Sequence, residues 1–275
     1  MKLYISADME GTGAVCSWQQ CDPDNLTEYP YYRHLMSLEV RAAIDGARSA
    51  GVTGVLVNDS HSSMRNILWN ELPQDVRMIY GNRKPFSMAE GITPEFQAAF
   101  FTGYHGRAGQ AHATLEHTYT PSTIYNVRLN GTECSEATLN AALLGEFGVP
   151  VVLITGDRST VDLATSQMPW LTGVVVKDAI GKFGVDSMSP EAARAAIRAG
   201  AADAIRSLSQ AQPFKFQPPF TLEIDFVLTE QADFVELMPG FKRTAGRTVQ
   251  FTHEDFAVLF RAFVAAFRLG SAANT

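Results

Sequence analysis

The chain has 275 residues, of which 46% are hydrophobic and 19% charged, and its formal net charge is −7. This length supplies enough apolar material for one large globular domain or two closely packed lobes. The negative charge argues against a general nucleic-acid binder, which needs a basic surface to meet the phosphates.

The cysteines and the N-terminal segment bear on the compartment. Cys16, Cys21 and Cys134 are odd in number and show no CxxC spacing, which indicates neither a disulfide framework nor a thiolate zinc site. No secretory signal is predicted, because Asp8 and Glu10 interrupt the apolar N-terminal segment. No stretch reaches the length of a membrane span. We therefore expect a cytoplasmic protein with no membrane partner and no nucleic-acid partner.

Apolar segments alternate with helical patterns through the first two thirds of the chain. The predicted strands are KLYISA, GVLVNDSH, AAFFTGYH, PVVLITGD and TGVVVKD. Two helices are predicted among them, in SLEVRAAIDGARSAG and ATLNAALLGEFG. A strand, a helix and a strand in direct succession require parallel pairing. The prediction is an α/β fold with a parallel-rich, Rossmann-like sheet flanked by helices.

The remaining segments predict a second, α+β lobe. STIYNVRLNGTE has an Asn-Gly turn typical of a hairpin, and SPEAARAAIRAGAADAIRSL has the cap and proline of a helix start. FTLEIDF alternates as a strand does, and HEDFAVLFRAFVAAF is an amphipathic helix. We expect a single catalytic chain, 1–275. It could divide into a core of residues 1–85 with 147–190 and a lobe of residues 86–146 with 191–275.

Acidic and histidine side chains follow three predicted strands at the point where each strand ends. Asp8 and Glu10 follow the first strand, and side chains two residues apart in an extended chain point the same way. His61 follows the second strand and His105 the third. Because the carboxyl ends of parallel strands meet at one edge of a sheet, these groups should converge. Two neighbouring carboxylates repel each other unless a cation lies between them.

Carboxylate and imidazole groups are the ligands that suit zinc or a similar divalent ion. A further acid would complete a two-metal site, in which one carboxylate bridges ions about 3.5–4 Å apart. Glu136, at the start of the helix after the hairpin, is our candidate, and Glu133 is its rival. Each motif alone also fits an ordinary loop acid, turn or buried histidine. Their combination favours the metal site.

Several ionisable residues lie apart from these motifs. His117, in ATLEHTYT, is compatible with a third nitrogen ligand, a catalytic group or a surface residue. Asp157 and Arg158 could hold the site together by a charge-assisted hydrogen bond, although a purely structural role is favoured. The other histidines are expected to have no role in the site: His34, His112 and His253.

Along nearly its whole length the sequence resembles the zinc D-aminopeptidase family. The segments that carry the resemblance are KLYISADMEG, VLVNDSHSSM, KPFSMAEG, FFTGYH, SEATLNA and VPVVLITGD. The resemblance implies two zinc ions with Asp8 as the bridging carboxylate, and it favours Glu136 over Glu133. The implied ligands are Asp8, Glu10, His61, His105 and Glu136. It also implies that His117 is the catalytic histidine and that the chain forms a homo-oligomer, a ring-stacked decamer with an internal chamber.

Two features depart from the pattern of that family. The loop from His105 to His117 is one residue longer, and Glu116 stands where a small residue is expected. Both lie in the segment that would shape the substrate pocket. The resemblance therefore leaves the substrate preference open.

We predict a di-zinc aminopeptidase that removes the N-terminal residue, expected to be a D-residue, from short peptides. Metal-activated water and His117 would carry the reaction. His117 would be either a nucleophile or, as we favour, an oxyanion donor and the acid that protonates the leaving amine.

Two alternatives remain open. One is a di-metal hydrolase of another amide or ester, such as a phosphoesterase, whose candidate phosphate ligands are Arg107, Lys84, Lys177 and Lys182. The other is a peptide-binding, transport-accessory protein with a structural metal, which would close its zinc site with four protein ligands.

Overall fold

The computed structural model describes residues 1–273, which form two β-sheets with helices packed against them. The first sheet has the strand order β3-β2-β1-β4-β7-β8-β9, and its neighbouring strands are parallel except β8 and β9. Its strands are β1 (Lys2–Ala7), β2 (Gly54–Asp59), β3 (Arg77–Ile79), β4 (Ala98–Tyr104), β7 (Val151–Asp157), β8 (Thr172–Gly181) and β9 (Gly184–Ser187).

The second sheet is antiparallel and has the order β11-β12-β10-β5-β6. Its strands are β5 (Ile124–Leu129), β6 (Thr132–Glu133), β10 (Phe220–Phe226), β11 (Lys242–Ala245) and β12 (Thr248–His253). In β10 every second residue is buried, because one face of the strand packs on the core and the other is partly exposed.

Seven α-helices lie within residues 1–273, together with short 3₁₀ turns. The helices are α1 (Trp18–Cys21), α2 (Tyr29–Ser49), α3 (Glu136–Glu146), α4 (Arg158–Gln167), α5 (Pro190–Arg206), α6 (Thr229–Glu236) and α7 (Phe256–Ala272). Leu3 and Ile5 share a core with α2 and α5, whereas Tyr4 shares one with α3, α7 and the second sheet. The first sheet is therefore covered on both faces, as its continuous apolar strands require.

The predicted fold class is confirmed, and the differences from the predicted elements have local causes. The prediction missed α4, whose first turn is polar and whose apolar residues are few. Helix α2 begins at Tyr29, well before the predicted start, because Pro30 is accommodated in its first turn. None of the helices in residues 1–273 combines the length and apolarity needed to cross a bilayer.

The possible division into two lobes stays a prediction, but two elements lie elsewhere than it assumed. Strand β4 is hydrogen-bonded between β1 and β7, inside the first sheet. Helix α5 packs with α2 on the outer face of that sheet. Strand β4 belongs with the core because parallel pairing joins strands that are distant in sequence. Helix α5 belongs with the core because it packs against α2.

The register of the sheet brings the carboxyl ends of β1, β2 and β4 to the same level. Ala7 pairs with Asp59 on one side and with Thr102 on the other, and the Asp8 N–H donates to Thr102 O at 2.8 Å. Gly103 has a φ of +68°, and a Cβ there would lie 2.2 Å from Asp8 O. A glycine is therefore required where β4 passes the backbone of Asp8.

Replacing Gly103 by alanine should lower the free energy of unfolding by about 2–5 kcal/mol, from the positive φ and the backbone clash together. Gly109→Ala is the matched control, because φ there is +76° but no atom lies within 4 Å of the added Cβ. It should cost only the conformational part, about 1–2 kcal/mol. Denaturant unfolding of both variants is the measurement, and equal losses would show that the close approach to Asp8 does not matter.

Candidate metal centre

Six buried ionisable side chains converge at the carboxyl ends of β1, β2 and β4. They are three carboxylates and three imidazoles, from Asp8, Glu10, His61, His105, His117 and Glu136. Asp8, Glu10, His61 and His105 follow the strands directly. Glu136 occupies the first turn of α3, where the Ser135 hydroxyl caps the helix by accepting from Thr138 N.

The Asp8 carboxylate lies between two histidines. Its Oδ1 is 3.5 Å from His61 Nδ1, and its Oδ2 is 3.3 Å from His105 Nε2. Glu10 Oε2 lies 2.9 Å from His61 Nδ1, and Glu136 Oε2 lies 3.5 Å from His105 Nε2. The six groups thus include two sets of donors, one around His61 and one around His105, and Asp8 belongs to both sets.

The outer nitrogens of the three imidazoles are fixed by backbone carbonyls. His61 Nε2 lies 2.8 Å from Cys21 O, His105 Nδ1 3.0 Å from Gly106 O, and His117 Nδ1 2.9 Å from Leu115 O. Each of these nitrogens must carry the proton, because a carbonyl oxygen can only accept. The opposite nitrogen of each ring is therefore free to face the carboxylates with a lone pair.

Lone pairs that face carboxylate oxygens require a cation or a proton between them. Asp8 Oδ2 and His105 Nε2 are buried, and within residues 1–273 neither has a hydrogen-bond partner. Two ligands of one tetrahedral zinc ion, each about 2.0–2.2 Å from it, are separated by roughly 3.3–3.5 Å. Three of the four nitrogen–oxygen separations around His61 and His105 match this value, and the fourth, from Glu10 to His61, is shorter. The donor set therefore fits zinc in both chemistry and spacing.

The pKa values in the cluster point the same way. Burial opposes the charged form of Glu10, but His61, His117 and His105 hold its pKa well below the ordinary value. Burial also opposes protonation of His105, yet Glu136 and Asp8 raise its pKa well above the usual range. The site therefore strongly favours positive charge among its carboxylates.

Other sequence candidates lie outside the cluster. Glu133 is exposed and pairs with Arg107. Asp59 accepts hydrogen bonds from the backbone of Asn66 and Ile67, the turn role weighed as an alternative for this motif. Arg158 pairs with Asp178 of β8 and not with Asp157.

Asp157 instead supports the loop that carries His117. Its Oδ2 accepts from Thr114 N at 2.8 Å, and its Oδ1 caps α4 by accepting from Thr160 N. Glu116, which departs from the family pattern, accepts from Lys182 Nζ at 2.8 Å and from Gly109 N at 3.1 Å. The loop is therefore held to the first sheet at both of these points. The three other histidines, His34, His112 and His253, lie outside the cluster.

Sequence reasoning did not predict the roles of three residues around the cluster. The Cys21 thiol lies close to the donor atoms of Glu10 and His61, and burial raises its pKa well above the ordinary value. The Trp18 ring meets the His117 ring edge to face at 5.4 Å. A short helix, α1, carries both Trp18 and Cys21, and no strand-end pattern in the sequence signals it.

The third of these residues, Lys177, was considered only as a phosphate ligand, and it is buried beneath the segment that carries Glu10. Its ammonium donates to the carbonyls of Glu10, Thr12 and Val15 at 2.5, 2.8 and 2.7 Å. Glu39 Oε1 also contacts this segment and accepts from Gly13 N at 2.9 Å. These contacts fix the backbone of residues 10–15 and with it the direction of the Glu10 carboxylate.

A cavity of about 440 Å³ opens onto the cluster. Its wall includes donor residues of the cluster, aromatic and methionine side chains, and an arginine from α7, namely Asp8, Glu10, His61, His117, Glu136, Trp18, Met64, Met88, Phe267 and Arg268. This volume lies within the range of small-molecule sites. The cluster is thus buried but reachable.

Metal-competent donors at the carboxyl ends of parallel strands, next to an accessible cavity, define a metal-dependent α/β enzyme. The family model described as D-aminopeptidase matches residues 1–265. The chain belongs to the D-aminopeptidase family.

Individual relatives agree with this assignment. A D-aminopeptidase of Bacillus subtilis (strain 168) is 34% identical over 268 residues, which are 96% of each chain. The solved structure of the Zn-dependent D-aminopeptidase DppA from Bacillus subtilis, described as a self-compartmentalizing protease, superposes with a TM-score of 0.95. It is 32% identical and covers 98% of both chains. The similarity therefore includes every element that contributes to the cluster.

Replacing Lys177 by methionine should weaken zinc binding without touching a donor atom. The variant keeps the length of the side chain but leaves three buried carbonyls without their donor, so the Glu10 segment loses its anchor. We expect zinc affinity to fall about 10–100-fold, the usual effect of losing an outer-shell partner. Chelator competition measures the affinity. Lys242→Met, an exposed change in β11, is the control, and equal affinities in the two variants would contradict the anchoring role.

Proposed function

We propose that this chain is a zinc-dependent aminopeptidase that binds two zinc ions and removes the N-terminal residue, a D-residue, from short peptides. The observation that carries the proposal is the single Asp8 carboxylate facing His61 with one oxygen and His105 with the other. Asp8, Glu10 and His61 would hold one ion, and Asp8, His105 and Glu136 the other. The family and the zinc-dependent relative support both the metal and the substrate class.

Zinc, when bound, supplies Lewis acidity for a peptide carbonyl and lowers the pKa of water. His117 lies at the cavity with its Nε2 3.9 Å from Glu10 Oε1 and 3.7 Å from Glu136 Oε1. Both distances are too long for hydrogen bonds, so Nε2 is free to meet a substrate.

The His117 ring is also held in a fixed orientation. It stacks on the His105 ring at 4.1 Å between centroids, and its Nδ1–H donates to Leu115 O. Because Nδ1 carries the ring proton, Nε2 would first take a proton from the attacking water. The imidazolium so formed can donate to the carbonyl oxygen and protonate the leaving amine. We therefore assign His117 to this role and not to metal binding or direct attack.

The two alternative functions have less support. The four cations considered for phosphate are each engaged elsewhere, since Lys84 and Lys177 donate to backbone carbonyls, Arg107 pairs with Glu133 and Lys182 pairs with Glu116. A purely structural metal would not need an accessible cavity or a histidine with a free nitrogen facing it.

We further propose a homo-oligomer, a decamer, in the cytoplasm. The self-compartmentalizing relative supports the assembly, as do apolar side chains on the surface of the protomer, including Leu26, Ile180 and Leu237, which are 82%, 76% and 78% exposed. The free thiols of Cys16, Cys21 and Cys134 suit a reducing compartment.

Light scattering at micromolar concentration should return a mass several times that of the protomer. Contact between copies would bury the exposed apolar side chains, which stabilises the assembly. A mass of 30.0 kDa, that of a single chain, would contradict the oligomer.

Removing the metal with a chelator should abolish hydrolysis of D-Ala-Gly-Gly, because the cluster then lacks the cations that its carboxylates require. Added zinc should restore the rate and give two ions per chain by elemental analysis. L-Ala-Gly-Gly is the matched substrate and should be cleaved far more slowly. Full activity in a protein shown to be metal-free would end the proposal.

His117→Ala should keep both zinc ions and lose about 10²–10⁴-fold in kcat, since a proton donor or oxyanion partner is removed while the five ligands remain. Zinc content and turnover are measured on the same preparation. His34→Ala is the control, because His34 lies on the surface beside Glu71 and should leave both quantities unchanged. If one ion is lost together with the activity, His117 is a ligand.

A further inference from the structure

Arg268, near the end of α7, is a cation in the wall of the cavity onto which the carboxylate cluster opens. The ring of the preceding residue, Phe267, lies 5.0 Å from that of Tyr119. The N–H of Tyr119 donates to Glu136 Oε1 at 2.6 Å. Helix α7 is therefore packed directly against the residues that hold the cluster.

The guanidinium of Arg268 has most of its hydrogen-bonding capacity unused. Its Nη2 donates to Asn82 Oδ1 at 2.6 Å, and its Cζ lies over the Phe267 ring, 5.4 Å from the ring centroid. Within residues 1–273 it forms no ion pair with a carboxylate, in contrast to Arg128 with Asp225. A guanidinium has five N–H donors, so Arg268 can still donate two hydrogen bonds to a bound anion.

A second cation lies close to the first. Arg83 also forms no ion pair within residues 1–273. Partial burial of Arg268 lowers the pKa of Arg268, and the positive charge of Arg83 lowers it further. Two neighbouring guanidinium groups without an acid repel each other, and a bound anion would relieve that repulsion. The cavity is therefore electrically polar, with acids at its inner end and unpaired arginine charge on its wall.

We propose that Arg268 binds the C-terminal carboxylate of a short peptide, so that the enzyme recognises a free carboxylate as well as a free amine. This inference rests on the proposed aminopeptidase function. A peptide zwitterion has charges at its two ends, and the cavity offers the complementary charges at two places. A carboxylate matches the planar fork of a guanidinium, and a cavity of about 440 Å³ limits the peptide to a short one.

The test compares D-Ala-Gly, D-Ala-Gly-Gly and D-Ala-Gly-Gly-Gly, each as the free acid and as the C-terminal amide. The zinc-loaded enzyme should prefer the acid about 10–100-fold in KM at the length that reaches Arg268, as a charged hydrogen bond predicts. In Arg268→Gln the ratio of kcat/KM for acid over amide should fall towards one, chiefly through KM. Arg261→Gln, an exposed arginine on the same helix, should keep the preference.

Equal rates for acid and amide at every length, or a preference that survives in Arg268→Gln, would overturn the assignment. Failure of the proposed function looks different, because the zinc-loaded enzyme would then cleave neither form. In that case calorimetric binding of the acid and amide tripeptides to the wild type and to Arg268→Gln still decides whether the arginine binds a carboxylate.

Discussion

The mutual repulsion of three buried carboxylates is the constraint around which this fold is arranged. Asp8, Glu10 and Glu136 share a site with almost no exposure to water, where each negative charge is costly unless it is matched. Three imidazoles supply part of the match, and each is turned towards the acids by a carbonyl on its other side. The remaining demand for positive charge is what suits the cluster to a metal ion.

The rest of the architecture keeps these groups from relaxing apart. A parallel sheet fixes the ends of three strands at one level, and hydrogen bonds to Lys177 and Glu39 hold the segment after the first strand. Burial lowers the pKa of Lys177 to about 8 and raises that of Glu39 to about 7, so neither group keeps its charge without cost. Burial of these two groups therefore lowers the stability of the fold, while their hydrogen bonds keep the site rigid, as in other preorganised enzymes.

Sequence alone was enough for the features set by local pattern. Strand ends could be located from apolar runs, and the rule that parallel strands end at one edge grouped Asp8, His61 and His105 before any coordinates. Lys177, Cys21 and Trp18 could not be found in this way, because their roles depend on contacts between distant segments. Helix α4 was missed because its few apolar residues give a weak periodic signal. His117 was singled out, but its role stayed open because a loop has no periodicity to fix its direction.

The distribution of the site along the chain has a consequence for biosynthesis. Every proposed zinc donor has been synthesised once residue 136 is added to the chain. Lys177, which holds the Glu10 segment, and the part of the cavity wall that α7 contributes are synthesised later. Strand β7, which pairs with β4, and strand β8, which pairs with β7, also follow the donors in the chain. A ribosome-bound fragment therefore carries the donor side chains without the frame that aims them. The cavity beside the donors is therefore complete only when α7 has been made.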